Sequence, residues 1–304
     1  MVQVGDLLRE FRGRLTENGI ESARHEAALL ISSRCGMTLA QIYSHPERPL
    51  NETQARQLRD DLKRRLTHEP MAYILGSTDF YGLTFTVGPG VLIPRADTER
   101  LVEIALDALA NSFDERPTLR ILDTCSGTGC VGISIAHHLR VRQRDFTMTL
   151  VEKDPAAAAY TRENVRRHGL EALVTVVEAD LWPAATTAGA TDDRHVVAAE
   201  PKVYDLITAN PPYIVRAVIP TLMPDVAQFE PQLALDGGTD GLDLYRRIIA
   251  EAPNRLNRPG LLLVEHGYDQ SIAVDNLFSQ ADFIDRLQVY DYGGHPRVTG
   301  GWLR

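Results

Sequence analysis

A chain of 304 residues has room for one domain of ordinary size and a smaller one. Its residues are 44% apolar, yet no uninterrupted apolar run approaches the ~18 needed to cross a bilayer, which excludes a helical membrane protein. The net charge of −9 argues against a long grip on nucleic acid phosphates.

Cys35, Cys125 and Cys130 show neither Cys-x-x-Cys spacing nor a neighbouring histidine pair, so reduced thiols and no bound metal are expected. Residues 1–6 lack the charged-then-apolar pattern of a signal peptide, and a cytoplasmic location follows as the expectation, with the mitochondrial matrix open for a eukaryotic source. Residues 1–77 read as a helical domain. Leu7, Leu8, Phe11 and Leu15 share one helical face, and Ala27 to Ile31 form a compact apolar segment of a second helix. Asn51 followed by Gln54 resembles a capping box, after which Ala55, Leu58, Leu62 and Leu66 recur at helical spacing. Arg56, Arg59, Lys63, Arg64 and Arg65 take the other faces, either as a solvated charged surface or as a docking surface for a partner.

The period changes at Phe80. Leu83, Phe85 and Val87 alternate with Thr84 and Thr86, a strand pattern that ends at Gly88-Pro89-Gly90. Val91 to Arg95 is expected to return as the second arm of a β-hairpin, making residues 78–95 a linker. Asp97 or Thr98 is the expected cap of the next helix, and Arg95 is expected near an entrance or paired with Asp97 or Glu99.

Residues 96–304 carry the rhythm of an α/β domain. Leu119 to Leu122 reads as a strand, Asp123 to Gly129 as its glycine-bearing exit loop and Val131 to Leu139 as a helix. Glycines let backbone approach a ligand closely, and loop amides at a helix N-terminus suit polar ligand groups. The next strand ends at Glu152, a position from which a carboxylate can accept both ribose hydroxyls of an adenosine-containing cofactor. Asp154 with Pro155 starts the following helix, and Gly169 ends it. A third strand, Val174 to Val177, leads to Asp180, which can accept from an adenine amino group with Leu181 or Trp182 against the ring. Residues 183–201 read as a polar surface insertion.

The strand Tyr204 to Ala209 delivers Asn210-Pro211-Pro212-Tyr213 to the sheet edge where ligands of open α/β folds collect. Two prolines stiffen that loop and leave carbonyls free, and a side-chain amide beside them makes a cradle for a planar NH2 group. A chance turn after a strand would look the same. His266 reads as a structural histidine, and Glu230 with Pro231 as a candidate rim of the site. Of the C-terminal strands Leu287 to Tyr290 and Val298 to Leu303, one is expected to run antiparallel in a seven-stranded Rossmann-like mixed sheet with helices on both faces.

Together, the glycine loop, Glu152, Asp180 and Asn210 to Tyr213 resemble the class I S-adenosylmethionine-dependent methyltransferases. More narrowly, Glu69 to Gly76, Leu92 to Glu99, Phe229-Glu230-Pro231, Gly237 to Leu242, Leu263 to Gly267 and Gly294 to Val298 resemble the release factor protein-(glutamine-N5) methyltransferases, over nearly the full length. The resemblance implies S-adenosylmethionine held by Cys125, Ser126, Gly127, Thr128, Gly129, Glu152, Asp180, Leu181 and Asn210. It assigns catalysis to Asn210, Pro211, Pro212 and Tyr213, and methylation to the glutamine of the release factor Gly-Gly-Gln loop. A monomer needing no nucleic acid is expected, with residues 1–77 as the docking domain. Cys125 stands where the family's first loop glycine is usual, and Thr124 where leucine is usual; the cysteine fits if its φ stays negative. Nucleic-acid or small-molecule amino methylation, or a silent binding protein on the same frame, are the alternatives.

Overall fold

The computed structural model describes residues 2–184 and 203–304; the polar insertion falls, from residue 185 on, outside the described residues. The chain forms two compact units, one running to Ser77 and taking in Met223–Phe229, the other comprising Thr78–Leu222 and Glu230–Arg304.

In the first unit, β1 (Val2–Gln3) precedes α1 (Val4–Glu17), α2 (Ala23–Cys35) and α3 (Leu39–Ser44). β2 (Pro49–Leu50) pairs antiparallel with β1 and is followed by α4 (Glu52–Leu66) and α5 (Met71–Leu75). The apolar stripe of α1 buries Leu7, Phe11 and Leu15 against Leu30 and Ile31 of α2 and Leu58 and Leu62 of α4. The capping box forms as the sequence predicts, with Asn51 Oδ1 accepting from Gln54 N at 2.8 Å and Asn51 N donating to Gln54 Oε1 at 3.2 Å. The basic residues of α4 are largely consumed inside this unit. Arg59 pairs with Glu10 at 3.0 Å, Lys63 with Asp60 at 2.8 Å and Arg64 with Glu69 at 2.5 Å. Arg65 corrects the solvated-face reading: it is buried and donates to both oxygens of Glu26, at 2.6 and 3.2 Å.

The second unit opens with a hairpin of β3 (Ser77–Phe80) and β4 (Leu83–Thr86). Its turn is Tyr81-Gly82, where φ is +49° and +73°, the positive pair that a tight two-residue hairpin requires. Val91 to Arg95 is therefore not a hairpin arm; the segment is irregular. Gly88 anchors it, since a Cβ there would lie 2.2 Å from the Tyr160 hydroxyl. A 3-10 turn, Ala96–Thr98, leads into α6 (Glu99–Ser112). Neither expected cap operates: Thr98 already has helical backbone and makes no capping bond, and Asp97 pairs with Arg297 at 3.1 Å. Arg95 pairs with buried Glu230 at 2.5 Å rather than with Asp97 or Glu99.

The sheet is built from β5 (Leu119–Thr124), β6 (Phe146–Glu152), β7 (Val174–Glu178), β8 (Tyr204–Ala209), β9 (Leu256–Glu265), β10 (Ile284–Tyr290) and β11 (Pro296–Leu303), interspersed with α7 (Cys130–Val141), α8 (Pro155–Arg167), α9 (Pro224–Phe229, in the first unit), α10 (Asp243–Glu251) and α11 (Ser271–Gln280). Strand order is β10-β11-β9-β8-β5-β6-β7, and β11 alone runs antiparallel, as expected. Alternate side chains point to opposite faces, so Ile121, Leu206, Leu261 and Leu263 join α6, α7 and α8 in one core. Leu122, Ile207, Leu262 and Val264 join α10 and α11 in the other. Lying mid-sheet with both faces covered, β8 is buried at every residue.

Removing one partner of the buried Glu26–Arg65 pair leaves an uncompensated charge, which costs about 3–5 kcal/mol. Glu26→Ala should lower the first unit's unfolding free energy, read from urea denaturation, by that amount, while Glu10→Ala, at a more exposed pair, should cost about 1 kcal/mol or less.

Candidate active site

From β5 the chain steps outward to β6 and β7, then returns across β5 to β8, so the C-terminal ends of β5 and β8 diverge. This is the topological switch point at which open α/β sheets bind ligands. A cavity of about 570 Å³ lies there, walled by Cys125 and Gly127 after β5, Val151 and Glu152 of β6, Asp180 and Leu181 after β7, and Asn210 and Pro212 after β8. Ser126, Thr128, Gly129, Pro211 and Tyr213 do not line it. Trp182 is buried and also away from the wall, with the Arg255 guanidinium 5.6 Å from its ring centroid, so of the two expected ring neighbours only Leu181 is in place.

Glu152 organises the loop after β5. Its Oε2 accepts from Gly127 N at 2.8 Å and its Oε1 from Asp154 N at 2.9 Å. Burial raises its pKa, and those backbone donors oppose the rise. Each oxygen retains acceptor capacity toward the cavity. Thr161 Oγ1 donates to Gly127 O at 2.6 Å, and Gly129 N donates to Ser126 O at 2.7 Å, closing the turn that starts α7. Gly129 sits at φ +80°, and a Cβ there would meet Ile133 Cδ1 at 2.8 Å and Thr161 Cγ2 at 3.0 Å.

Cys125 overturns one expectation. Its φ is +57°, in the left-handed region, because the chain must turn sharply out of β5 to bring Ser126 N onto Val151 O at 3.0 Å. The conformation suits glycine and costs a residue with a Cβ about 1–2 kcal/mol. Burial, and then the nearby Glu152 carboxylate, drive the thiol's pKa far upward, which keeps it protonated.

Asp180 carries two cations, Arg247 at 3.0 Å and Lys153 at 3.7 Å, and the Arg247 hydrogen bond holds its pKa below the usual range. It stays ionised and remains on the cavity wall. Asn210 donates from Nδ2 to Thr98 Oγ1 at 3.2 Å. The Tyr213 carbonyl accepts from Gln270 Nε2 at 3.0 Å, and burial pushes the tyrosine's phenol up to about 12. His266 is structural as read: wholly buried, it donates from Nδ1 to Gly267 O at 2.9 Å and accepts at Nε2 from Thr299 Oγ1 at 2.9 Å.

Two further walls carry residues that the sequence does not single out, Pro231 of the expected rim excepted. Gly90, Val91 and Leu92 form one, and Arg216 with Pro231 to Ala234 and Asp236 form the other. Pairing of residues 214–216 with 235–238 builds the second, Ile214 N donating to Leu235 O and Gly237 N to Ile214 O, each at 2.9 Å. No side-chain motif marks such backbone pairing, although Leu92 and Pro231 fall within the segments that carry the resemblance. Glu230 stands behind Pro231 and does not line the cavity. Among the described residues no His, Cys, Asp and Glu cluster is arranged to hold a metal ion.

Residues 6–76 match the PrmC N-terminal domain and residues 98–223 the Methyltransferase small domain. The chain is 39% identical over 290 residues to the release factor glutamine methyltransferase of Geobacter sulfurreducens, covering 95% of this chain and 93% of that protein. This chain belongs to the release factor glutamine methyltransferase family. The Clostridium botulinum member is 36% identical over 293 residues, 96% of each chain. In fold, the methyltransferase is similar to the hMettl16 catalytic domain in complex with MAT2A 3'UTR hairpin 6, at TM-score 0.52 and 13% identity over 83% of this chain and 82% of that one.

For the methyltransferase, Gly129→Ala combines a positive φ with two short contacts and should destabilise the second unit by more than about 1 kcal/mol in chemical denaturation. Gly127→Ala, also at positive φ but facing open space, should cost less than Gly129→Ala.

Proposed function

We propose that this methyltransferase transfers a methyl group from S-adenosylmethionine to the side-chain amide nitrogen of a glutamine, that of the release factor Gly-Gly-Gln loop. The observation that carries the reading is Asn210: it stands on the cavity wall with its NH2 group turned to Thr98, leaving Oδ1 as a free-facing acceptor for a substrate N–H.

The cavity suits the cofactor in size and charge. Pockets for small ligands run from about 300 to 1,000 Å³. Glu152, Asp154, Asp180, Asp236 and Asp243 outnumber Lys153 and Arg216 on its wall, which favours a ligand bearing net positive charge. Glu152 would hold the ribose hydroxyls, Asp180 and Leu181 the adenine, and the Cys125 to Gly129 turn the remainder. When bound, S-adenosylmethionine supplies an electrophilic methyl group on a sulfonium centre.

A carboxamide nitrogen is a weak nucleophile because its lone pair is delocalised into the carbonyl. Asn210 Oδ1 and the Pro211 carbonyl would accept its two N–H bonds, fixing the nitrogen in line with the methyl group and favouring the positive charge that develops on it. The nitrogen gains the methyl and sheds one proton, which becomes acidic only as the new N–C bond forms. No general base is required beforehand, which agrees with the structural role of His266. Residues 1–77 would dock the release factor and residues 78–95 link them to the transfer domain, 96–304. The enzyme would act as a monomer without nucleic acid, in the cytoplasm or another compartment where release factors work.

Labelled methyl transfer to a purified release factor, with its Gln→Ala loop variant as control, tests the reading: label should enter the wild-type factor alone. Asn210→Ala should lower kcat by about 10²–10³, the usual cost of losing a preorganised group aimed at developing charge. Glu152→Ala should instead weaken S-adenosylmethionine binding by calorimetry, and unchanged affinity would remove it from the cofactor site.

A further inference from the structure

We infer that Glu265 is a positioning residue for the transfer, its carboxylate holding the Asn210 amide in the orientation that turns Oδ1 toward the substrate. The inference rests on the reading of Asn210 given above. Glu265 ends β9 beside the end of β8, where Ala209 is in register with Val264, so Asn210 and Glu265 follow as the next pair along the two strands. Its side chain is 1% exposed. Thr98 and Asn210 face its carboxylate and lower its pKa, and Asn210 Nδ2 donates to Thr98 Oγ1 at 3.2 Å.

A side-chain amide has two edges of nearly equal shape and opposite polarity. An ionised carboxylate only accepts, so it selects the NH2 edge of Asn210 and leaves the C=O edge for the substrate. The flipped amide would set carbonyl against carboxylate and present NH2 to a substrate NH2, donor against donor.

A purely structural account of Glu265 is weak. Among the described residues no cation lies within ion-pair distance of it, and its Oε2 is buried with no hydrogen-bond partner. Arg297 acts on it through its charge while its Nη2 pairs with Asp291 at 3.0 Å and Asp97 at 3.1 Å, and its Nε is itself buried without a hydrogen-bond partner. A buried carboxylate without an ion pair detracts from stability, so its place behind Asn210 has the character of a functional group.

Burial raises the Glu265 pKa to about 7, with the Thr98 and Asn210 bonds and Arg297 lowering it and the Asp97 charge raising it. The Tyr213 phenol, held up near 12, the Tyr245 phenol and Cys130 thiol, both raised by burial, and the His266 ring, whose pKa burial lowers, are the other titratable groups that act on it or lie beside it. Below that value the protonated carboxyl can donate to Asn210 Oδ1 and reward the wrong edge. Turnover therefore falls as pH drops through neutrality and rises as the carboxylate forms.

The test pairs the full chain with S-adenosylmethionine and release factor across that pH range. Glu265→Gln keeps the volume and should lower kcat about tenfold or more, with both KM values nearly unchanged and the acid limb of the pH profile gone. Thr98→Val should lower kcat less and keep the limb. Wild-type kcat and an intact limb in Glu265→Gln would overturn the inference. A readout free of substrate separates it from the release-factor reading: the Asn210 side-chain NH2 resonances should titrate through neutrality in the wild type and not in Glu265→Gln. Absence of that titration overturns the positioning role whatever the substrate proves to be, whereas titration with no transfer to the release factor would sink only the substrate assignment.

Discussion

One buried carboxyl group, Asp123, joins β5, β8 and α7 beside the cavity. Its Oδ1 accepts from Thr208 Oγ1 of β8 at 2.7 Å, and its Oδ2 from Gly132 N in the first turn of α7 at 3.2 Å. Burial lifts its pKa to about 7, opposed by those two hydrogen bonds. The fit demands glycine at 132, where a Cβ would lie 2.2 Å from Leu150 Cδ2 and 3.2 Å from Asp123 itself. Two residues beyond Asp123 the Cys125 turn begins, and two beyond Thr208 comes Asn210. The spacing between the glycine loop and the Asn210 amide is thereby fixed by backbone geometry.

The cavity also concentrates backbone strain. Cys125 and Leu181, at φ +57° and +70°, both line it. Left-handed positions of this kind cost about 1–3 kcal/mol each and persist only where surrounding bonds over-determine them. Here Thr124 Oγ1 donates to Leu181 O at 2.6 Å, and Ser126 N to Val151 O at 3.0 Å, so each strained residue is tied to the neighbouring strand end. Thr124, a departure from the family's usual leucine, supplies the hydroxyl for the first of these ties.

Where the chemistry is local, the sequence is legible. Asn51 and Gln54 cap α4, Asp154 and Pro155 start α8, and short, mostly buried runs bounded by turn residues define β5, β6 and β8. The glycine loop, Glu152, Asp180 and Asn210 come to one cavity because each follows a parallel strand and strand ends share an edge. What resisted reading depended on partners distant in sequence. Arg65 looks like any surface arginine until α2 brings Glu26 to it, and Arg95 finds Glu230 rather than its neighbours. The Tyr81-Gly82 turn was eclipsed by the louder Gly88-Pro89-Gly90 signal, though glycine at the second turn position was its cue. The sign of φ at Cys125 depends on where the next residue must hydrogen-bond, which a side chain does not announce.

The antiparallel course of β11 has a consequence for how the molecule is made. β11 sits between β9 and β10, both of which precede it in the chain. Until Pro296–Leu303 has left the ribosome, β10 has no neighbour to pair with, β9 presents an open edge, and Arg297 is missing from the surroundings of Glu265. Parallel strands β5 to β8 can collapse earlier, but the last strand must thread into an opening that its predecessors keep clear. Long-range closure of this kind is slow and leaves apolar strand edges exposed in the interim. The charged and polar side chains along β10, with Asp285, Arg286 and Gln288 facing outward, suit a strand that must wait in water for its partner.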